Sequence, residues 1–169
     1  MYQRILVPID GSATSNCGLD ESIRLAKLTG GRIRLVHVVD TLILSTGLAI
    51  TTGDILGMLM DAGAQILSEA RARVEASGVA VDTLLPETGS GVCYIVIEQA
   101  KLWPADLIVI GTHGRRGVRR LFIGSDAEQI VRAAPVPVLL VRMREGKVGV
   151  PSAVGSGADA AVPRTALAA

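Results

Sequence analysis

The stretch "DLIVIGTHGRRGVRRLFIGSD", residues 106–126, decides how the rest of the chain is read. Its run Leu107-Ile108-Val109-Ile110 is short, continuous and largely β-branched, the pattern of a strand buried on both faces. Gly111 ends that run, and Gly114, Gly117 and Gly124 follow, interleaved with Arg115, Arg116, Arg119 and Arg120. Residues 125–133 then read as a helix. A buried strand that passes through a glycine-rich loop into a helix is one half of a βαβ unit, seen on the side where parallel sheets bind ligands.

The same alternation extends on both sides of this stretch. "RILVPI" (4–9), "RIRLVHVV" (32–39), "VAVDTLL" (79–85) and "VPVLLVR" (136–142) join 106–110 as strands. Residues 12–29, 54–77 and 91–102 read as the intervening helices. In the first, Cys17, Leu19, Ile23 and Ala26 offer a buried face, and Gly30-Gly31 stop it. In the second, Ile55, Leu59, Ala62, Ile66, Ala70 and Val74 recur every three or four residues, and Gly78 follows. In the third, Val92, Ile95, Val96 and Ala100 share a face, and Pro104 closes it. Pro135 and Pro137 put the last strand at a sheet edge or at its own start there. The prediction is an α/β fold: one doubly wound, Rossmann-like domain over 1–143, with a five-stranded parallel sheet covered by helices on both faces. Residues 40–53 are apolar without a clear period and read as a loop. From Val148 onward Ala, Gly, Ser and Pro dominate, so 144–169 reads as a flexible tail. There are no internal repeats.

Composition removes several function classes. Hydrophobic residues make up 49% and aromatic residues 2%, so a core is affordable but stacking platforms for single-stranded nucleic acid are not. A net charge of +1 supplies no global field for a polyanion, and no nucleic-acid partner is expected. The two cysteines, Cys17 and Cys93, stand apart and outside any CxxC pair, as expected of thiols in a reducing compartment. The opening "MYQRILVPID" runs straight into a strand pattern, and no stretch reaches the roughly 18 apolar residues of a spanning helix. A cytoplasmic protein without a membrane partner is the expectation.

The residues of the opening stretch suit an anion. Glycine permits positive φ and lets a phosphate approach the backbone. A helix opening at Gly124-Ser125 offers unpaired N–H groups and partial positive charge. The arginines can fork to phosphate oxygens, or they can be a solvated surface. Ser125-Asp126-Ala127-Glu128 also fits a capping box, in which Ser125 would be a cap and nothing more. Asp126 complements the dipole of the empty helix but repels a phosphate unless a metal ion lies between them. Asp10 can accept from ribose hydroxyls or an adenine amine, while "DGS" after a strand is equally an ordinary turn or cap. Neither GxxxxGK followed by Ser or Thr nor GxGxxG occurs. With two histidines, His37 and His113, and no cysteine cluster, no structural zinc site is expected. Cys93, near a helix start, could have a lowered pKa or be an inert buried thiol. The residues alone therefore specify an anion-binding loop whose ligand is open.

Gly111-x-x-Gly114, nine residues, then Gly124-Ser125 resembles the nucleotide motif of the universal stress protein family, in its ATP-binding branch. "RILVPIDGS" (4–12), "VHVVD" (36–40), "DLIVIGTHGRRG" (106–117) and "PVPVLLVR" (135–142) extend the resemblance over about residues 2–143. The resemblance implies ATP, accompanied by Mg²⁺ or Mn²⁺, and a homodimer through the fifth strand (136–142). It implies that Pro8 and Asp10 border adenine and ribose and that Val38 contacts adenine. Gly111, Gly114, Gly124 and Ser125 would bind ribose and phosphates, with Arg115 and Asp126 beside them.

The function that follows is a nucleotide-dependent regulatory module of a stress response, non-catalytic, with a protein partner left unidentified. One alternative is slow ATP hydrolysis or phosphoryl transfer in the same pocket, against which no Walker lysine or positioned base is identifiable. The other is a dimeric interaction protein without nucleotide.

Overall fold

Apolar strands and amphipathic helices alternate through residues 1–41, 52–112 and 124–143, the residues that the computed structural model describes. In chain order they are β1 (Arg4–Pro8), α1 (Ala13–Thr29), β2 (Arg32–Val36), β3 (Val39–Asp40), α2 (Thr52–Ala76), β4 (Val81–Leu84), β5 (Glu87–Thr88), α3 (Val92–Leu102), β6 (Leu107–Gly111), α4 (Ser125–Ala133) and β7 (Val138–Val141). Five strands form one sheet in the order β4-β2-β1-β6-β7, every pair parallel. The chain winds outward from β1 through β2 to β4, then returns to the other side of β1 for β6 and β7. This is the predicted doubly wound fold, and its direction switches between β1 and β6. β7 is an edge strand, and Pro137 just before it serves as an acceptor only, its carbonyl taking Ile108 N–H at 3.0 Å.

Alternating side chains of the strands divide the interior into two cores. Ile5, Val7, Ile33, Leu35, Leu107 and Val109 point to the side covered by α1 and α2, where they meet Leu19, Ala26, Leu67, Ala70 and Val74. Leu6, Val36, Ile108 and Ile110 point to the opposite side and meet Val96, Ala100, Ala127 and Ile130 of α3 and α4. Each fully buried aliphatic side chain contributes about 1.5–3 kcal/mol, which is why strands of four or five residues suffice.

Helix α1 begins where the Ser12 hydroxyl accepts Ser15 N–H at 3.1 Å, and it ends at Gly30 in the left-handed region, φ 66°. In α2 the buried line is Gly63, Leu67, Ala70 and Val74, whereas Ala62, expected inside, is exposed. Periodicity of apolar residues points at Ala62 because glycine carries no hydrophobic signal. Gly63 faces inward because a Cβ there would stand 2.7 Å from both His37 Cδ2 and Leu85 Cδ1. The two-residue strands β3 and β5 pair with each other in a small separate sheet at the carboxyl end, too short to leave a pattern in sequence.

Two features tie the amino end. The Asp106 carboxylate accepts Gln3 N–H at 2.7 Å and Arg4 N–H at 3.0 Å, clamping the start of β1 to the start of β6. On β2, Arg34 reaches Asp82 of β4 through two hydrogen bonds (2.6 and 3.1 Å) and lies 4.7 Å from the ring centre of Trp103, just past α3. The proposed tail, 144–169, and most of the apolar segment 40–53 lie outside the described residues.

Candidate functional site: a cleft at the carboxyl edge of the sheet

The sheet opens where β1 and β2 part. Ile9 N–H donates to Val36 O at 2.9 Å, the last backbone rung between them. Beyond it the chain after β2 turns toward the β4 side: His37 N–H donates to Leu84 O (3.0 Å) and Val39 N–H to Pro86 O (2.9 Å). The cleft that results has about 720 Å³ of space, counting its open mouth. Its position beyond the carboxyl ends at the switch point is where open α/β sheets place ligands.

Three helix starts contribute to this cleft, and they are finished differently. α1 has the Ser12 hydroxyl as a side-chain cap, and the Asp10 carboxylate takes Ser12 N–H at 2.9 Å. α3 and α4 begin at Gly91 (φ 92°) and Gly124, and neither has a side-chain cap hydrogen bond. The capping box, the alternative reading of Ser125, is thus not formed. Gly124 O accepts Glu128 N–H at 2.9 Å, so Ser125 is already inside the helix, where its hydroxyl cannot cap the turn. Gly124 is fixed in turn by its own N–H, which donates to Thr112 O at 2.8 Å, and Thr112 N–H donates to Val141 O. The start of α4 is therefore tied to the ends of β6 and β7, with first-turn N–H groups that no side-chain cap takes among the described residues and a positive dipole end beside the cleft.

Gly111 has a packing reason that sequence motifs do not reveal. A Cβ there would lie 2.6 Å from Thr14 C and O and 2.9 Å from Ser15 N, so the end of β6 touches the first turn of α1 backbone to backbone.

Of the residues singled out from sequence, Pro8, Asp10, Val38, Gly111, Gly124 and Asp126 line this one cleft. Ser125 opens α4 as an exposed residue outside the lining. Gly114, Arg115 and His113 lie outside the described residues. The lining also includes Ser15, His37, Val92 and an apolar floor of Ile110, Ala127 and Ile130. Those apolar residues carry the same periodic signal as the core that they continue, so sequence alone gives no mark that separates floor from core. His37 could have been noticed as a polar residue interrupting a buried strand pattern.

The Asp10 and Asp126 carboxylates on the wall shape what can enter. The Asp126 carboxylate stands beside the open start of α4. Burial first, and the Asp126 charge second, push the Cys93 thiol above its ordinary value. The lowering by the α3 dipole entertained from sequence is therefore overridden: desolvation and a neighbouring anion both disfavour the thiolate. Among the described residues no three of His, Cys, Asp and Glu are grouped to hold a metal ion. A divalent cation that travels with a phosphate needs only one or two carboxylates, the phosphate oxygens and water completing its shell, and Asp126 and Asp10 are the carboxylates in place. No helix of the described residues is long and apolar enough to cross a membrane.

Comparison with known proteins gives this geometry a context. The family model described as the universal stress protein family matches residues 1–142. A universal stress protein of Methanocaldococcus jannaschii is 31% identical over 144 residues, covering 84% of this chain and 83% of its own. The crystal structure of a universal stress protein family member from Burkholderia pseudomallei superposes with a TM-score of 0.70 at 32% identity, over 82% of this chain and 95% of that one. The universal stress protein from Archaeoglobus fulgidus, solved in complex with dAMP, superposes with a TM-score of 0.62 at 23% identity, over 83% of this chain and 98% of that one.

Proposed function

The chain belongs to the universal stress protein family, and on that premise we propose that its cleft binds an adenine nucleotide and that the bound state sets which protein partner the molecule engages. The observation that carries the reading is the pairing of a mostly apolar cleft with two helix starts that glycine leaves without side-chain caps. A base fits the apolar part between the diverging strands, next to Pro8 and Val38. A ribose fits near Asp10, whose carboxylate accepts hydrogen bonds. Phosphates fit at Gly124, where the first N–H groups of α4 have no side-chain cap among the described residues. The dAMP complex of the Archaeoglobus fulgidus relative supports an adenine nucleotide as ligand class.

Within this reading ATP is the physiological ligand, with Mg²⁺ or Mn²⁺ offsetting the Asp126 charge, and Gly111, Gly114, Arg115 and Ser125 complete the ribose and phosphate contacts. The protein acts in the cytoplasm, where its two free thiols remain reduced. It pairs with a second copy through β7, an edge strand on which Leu139 is exposed, with exposed Val131 and Met143 nearby in sequence. The role is regulatory rather than catalytic.

Mass spectrometry of the ligand released from freshly purified protein, beside thermal shifts with ATP, ADP and AMP with and without Mg²⁺, tests the reading. Retained adenine nucleotide and a rise in melting temperature with at least one of the three support it; no retained nucleotide and no shift with any of them would sink it.

A further inference from the structure

His37 holds an unusual place in the wall of the cleft. It is 8% exposed, it lines the cleft, and its Nδ1 lies 2.7 Å from Ile9 O. A carbonyl oxygen only accepts, so Nδ1 carries the proton and donates. The register of β1 and β2 shows what this bond replaces. Pro8 pairs with Val36, and Ile9 N–H donates to Val36 O, so the next rung of a parallel ladder would bring Val38 N–H to Ile9 O. That rung is missing, and Val38 N–H makes no hydrogen bond among the described residues. The imidazole occupies the acceptor instead. Gly63 of α2 makes room for the ring, since a Cβ there would meet His37 Cδ2 at 2.7 Å and Nε2 at 3.2 Å.

We propose that His37 is a positioning residue for base recognition: by taking the Ile9 carbonyl, its side chain keeps β1 and β2 apart and leaves the Val38 N–H as a donor for an acceptor atom on the base edge. The proposal rests on the nucleotide reading of the cleft for its purpose, but not for its mechanism. A buried carbonyl must find a donor. If the imidazole is removed, the nearest donor in register is Val38 N–H, and pairing it with Ile9 O would zip the strands one rung further and withdraw the donor from the cleft.

Two variants test this. His37→Leu keeps an apolar side chain of similar size but removes the donor. His37→Asn places an amide N–H as many bonds from Cα as Nδ1. Urea denaturation first establishes that each variant folds. The readouts are hydrogen exchange at the Val38 amide, followed by NMR without ligand, and AMP affinity by titration. In His37→Leu we expect Val38 exchange to slow about tenfold and AMP affinity to fall about tenfold, with His37→Asn within about threefold of the parent on both. Unchanged Val38 exchange in His37→Leu, or equal damage in the two variants, overturns the proposal. Failure of the parent protein to bind AMP overturns the nucleotide reading alone; the Val38 exchange rates then decide the role of His37 by themselves.

Discussion

The two ends of the same sheet are built on opposite terms. At the amino end, backbone polar groups are claimed by side chains: Asp106 takes Gln3 and Arg4 N–H, and the Thr29 hydroxyl donates to Tyr2 O. At the carboxyl end, the strands separate, two helices start on glycine without side-chain caps, and Val38 N–H is left over among the described residues. The same backbone groups that are closed off for stability at one edge are kept open at the other. An unmade hydrogen bond costs about 1–3 kcal/mol when the group is buried, so leaving donors open is tolerable only where water or a ligand reaches them.

This contrast can be broken or sharpened by substitution. The largest effect is expected at Gly111, a carboxyl-edge residue that belongs by its packing to the closed kind. Gly111→Ala forces a Cβ onto the Thr14 backbone, and rigid backbone does not yield as a side chain would. A loss of about 2–3 kcal/mol in urea denaturation is expected. A loss near zero would show that α1 shifts freely and that the glycine serves only ligand approach.

Asp106→Ala is the matching change at the amino edge. It removes one acceptor from two N–H groups near the surface, and about 1 kcal/mol of stability should go with it, while AMP affinity stays level. A weakened affinity would mean that the two edges are coupled through β1 and β6 rather than separate.

Asp126→Asn is the mildest. The loss of a carboxylate at the start of α4 should cost about 0.5 kcal/mol in stability. Metal-free AMP should bind a few-fold tighter, because a like charge leaves the phosphate end of the cleft, and added Mg²⁺ should narrow the gain. The same change removes the smaller of the two causes that raise the Cys93 pKa, so at fixed pH the thiolate fraction rises and iodoacetamide labels Cys93 faster. Labelling would remain slower than for the unfolded chain, since the larger cause, burial, persists. An unchanged labelling rate would place the Asp126 charge too far from Cys93 to matter.

Much of this architecture was legible in the chain because it rests on repeated, redundant signals. Five apolar strand segments and the helices between them are each written several residues long, so one misleading position changes nothing. Ala62 shows the limit: within a correctly predicted helix the buried line passes through Gly63, because the His37 ring and the Leu85 side chain across from it leave no room for a Cβ. The cleft itself was legible as a location and a set of residues, through Gly111, Gly124 and the residues that follow β1. Its finer terms were not. Ser125 can be read as a cap or as a phosphate ligand until the Gly124 carbonyl is seen to start the helix one residue earlier. The bond from His37 to Ile9 depends on which strands pair and in what register, a relation between residues 28 apart in the chain. Single-residue exchanges of this kind leave no period.

The Arg34–Trp103 contact has an optical consequence. Trp103 is the sole tryptophan of the chain. It follows the last turn of α3, while the first residue of α3, Val92, lines the cleft. Eleven helical residues separate the two ends, which puts the indole about 16 Å along the helix from the site. Its emission is thus a gauge of whether the guanidinium still rests on the ring, and so of global unfolding. A nucleotide settling into the cleft would leave that emission alone unless α3 moved as a whole, which turns a silent fluorophore into a test of rigid-body motion.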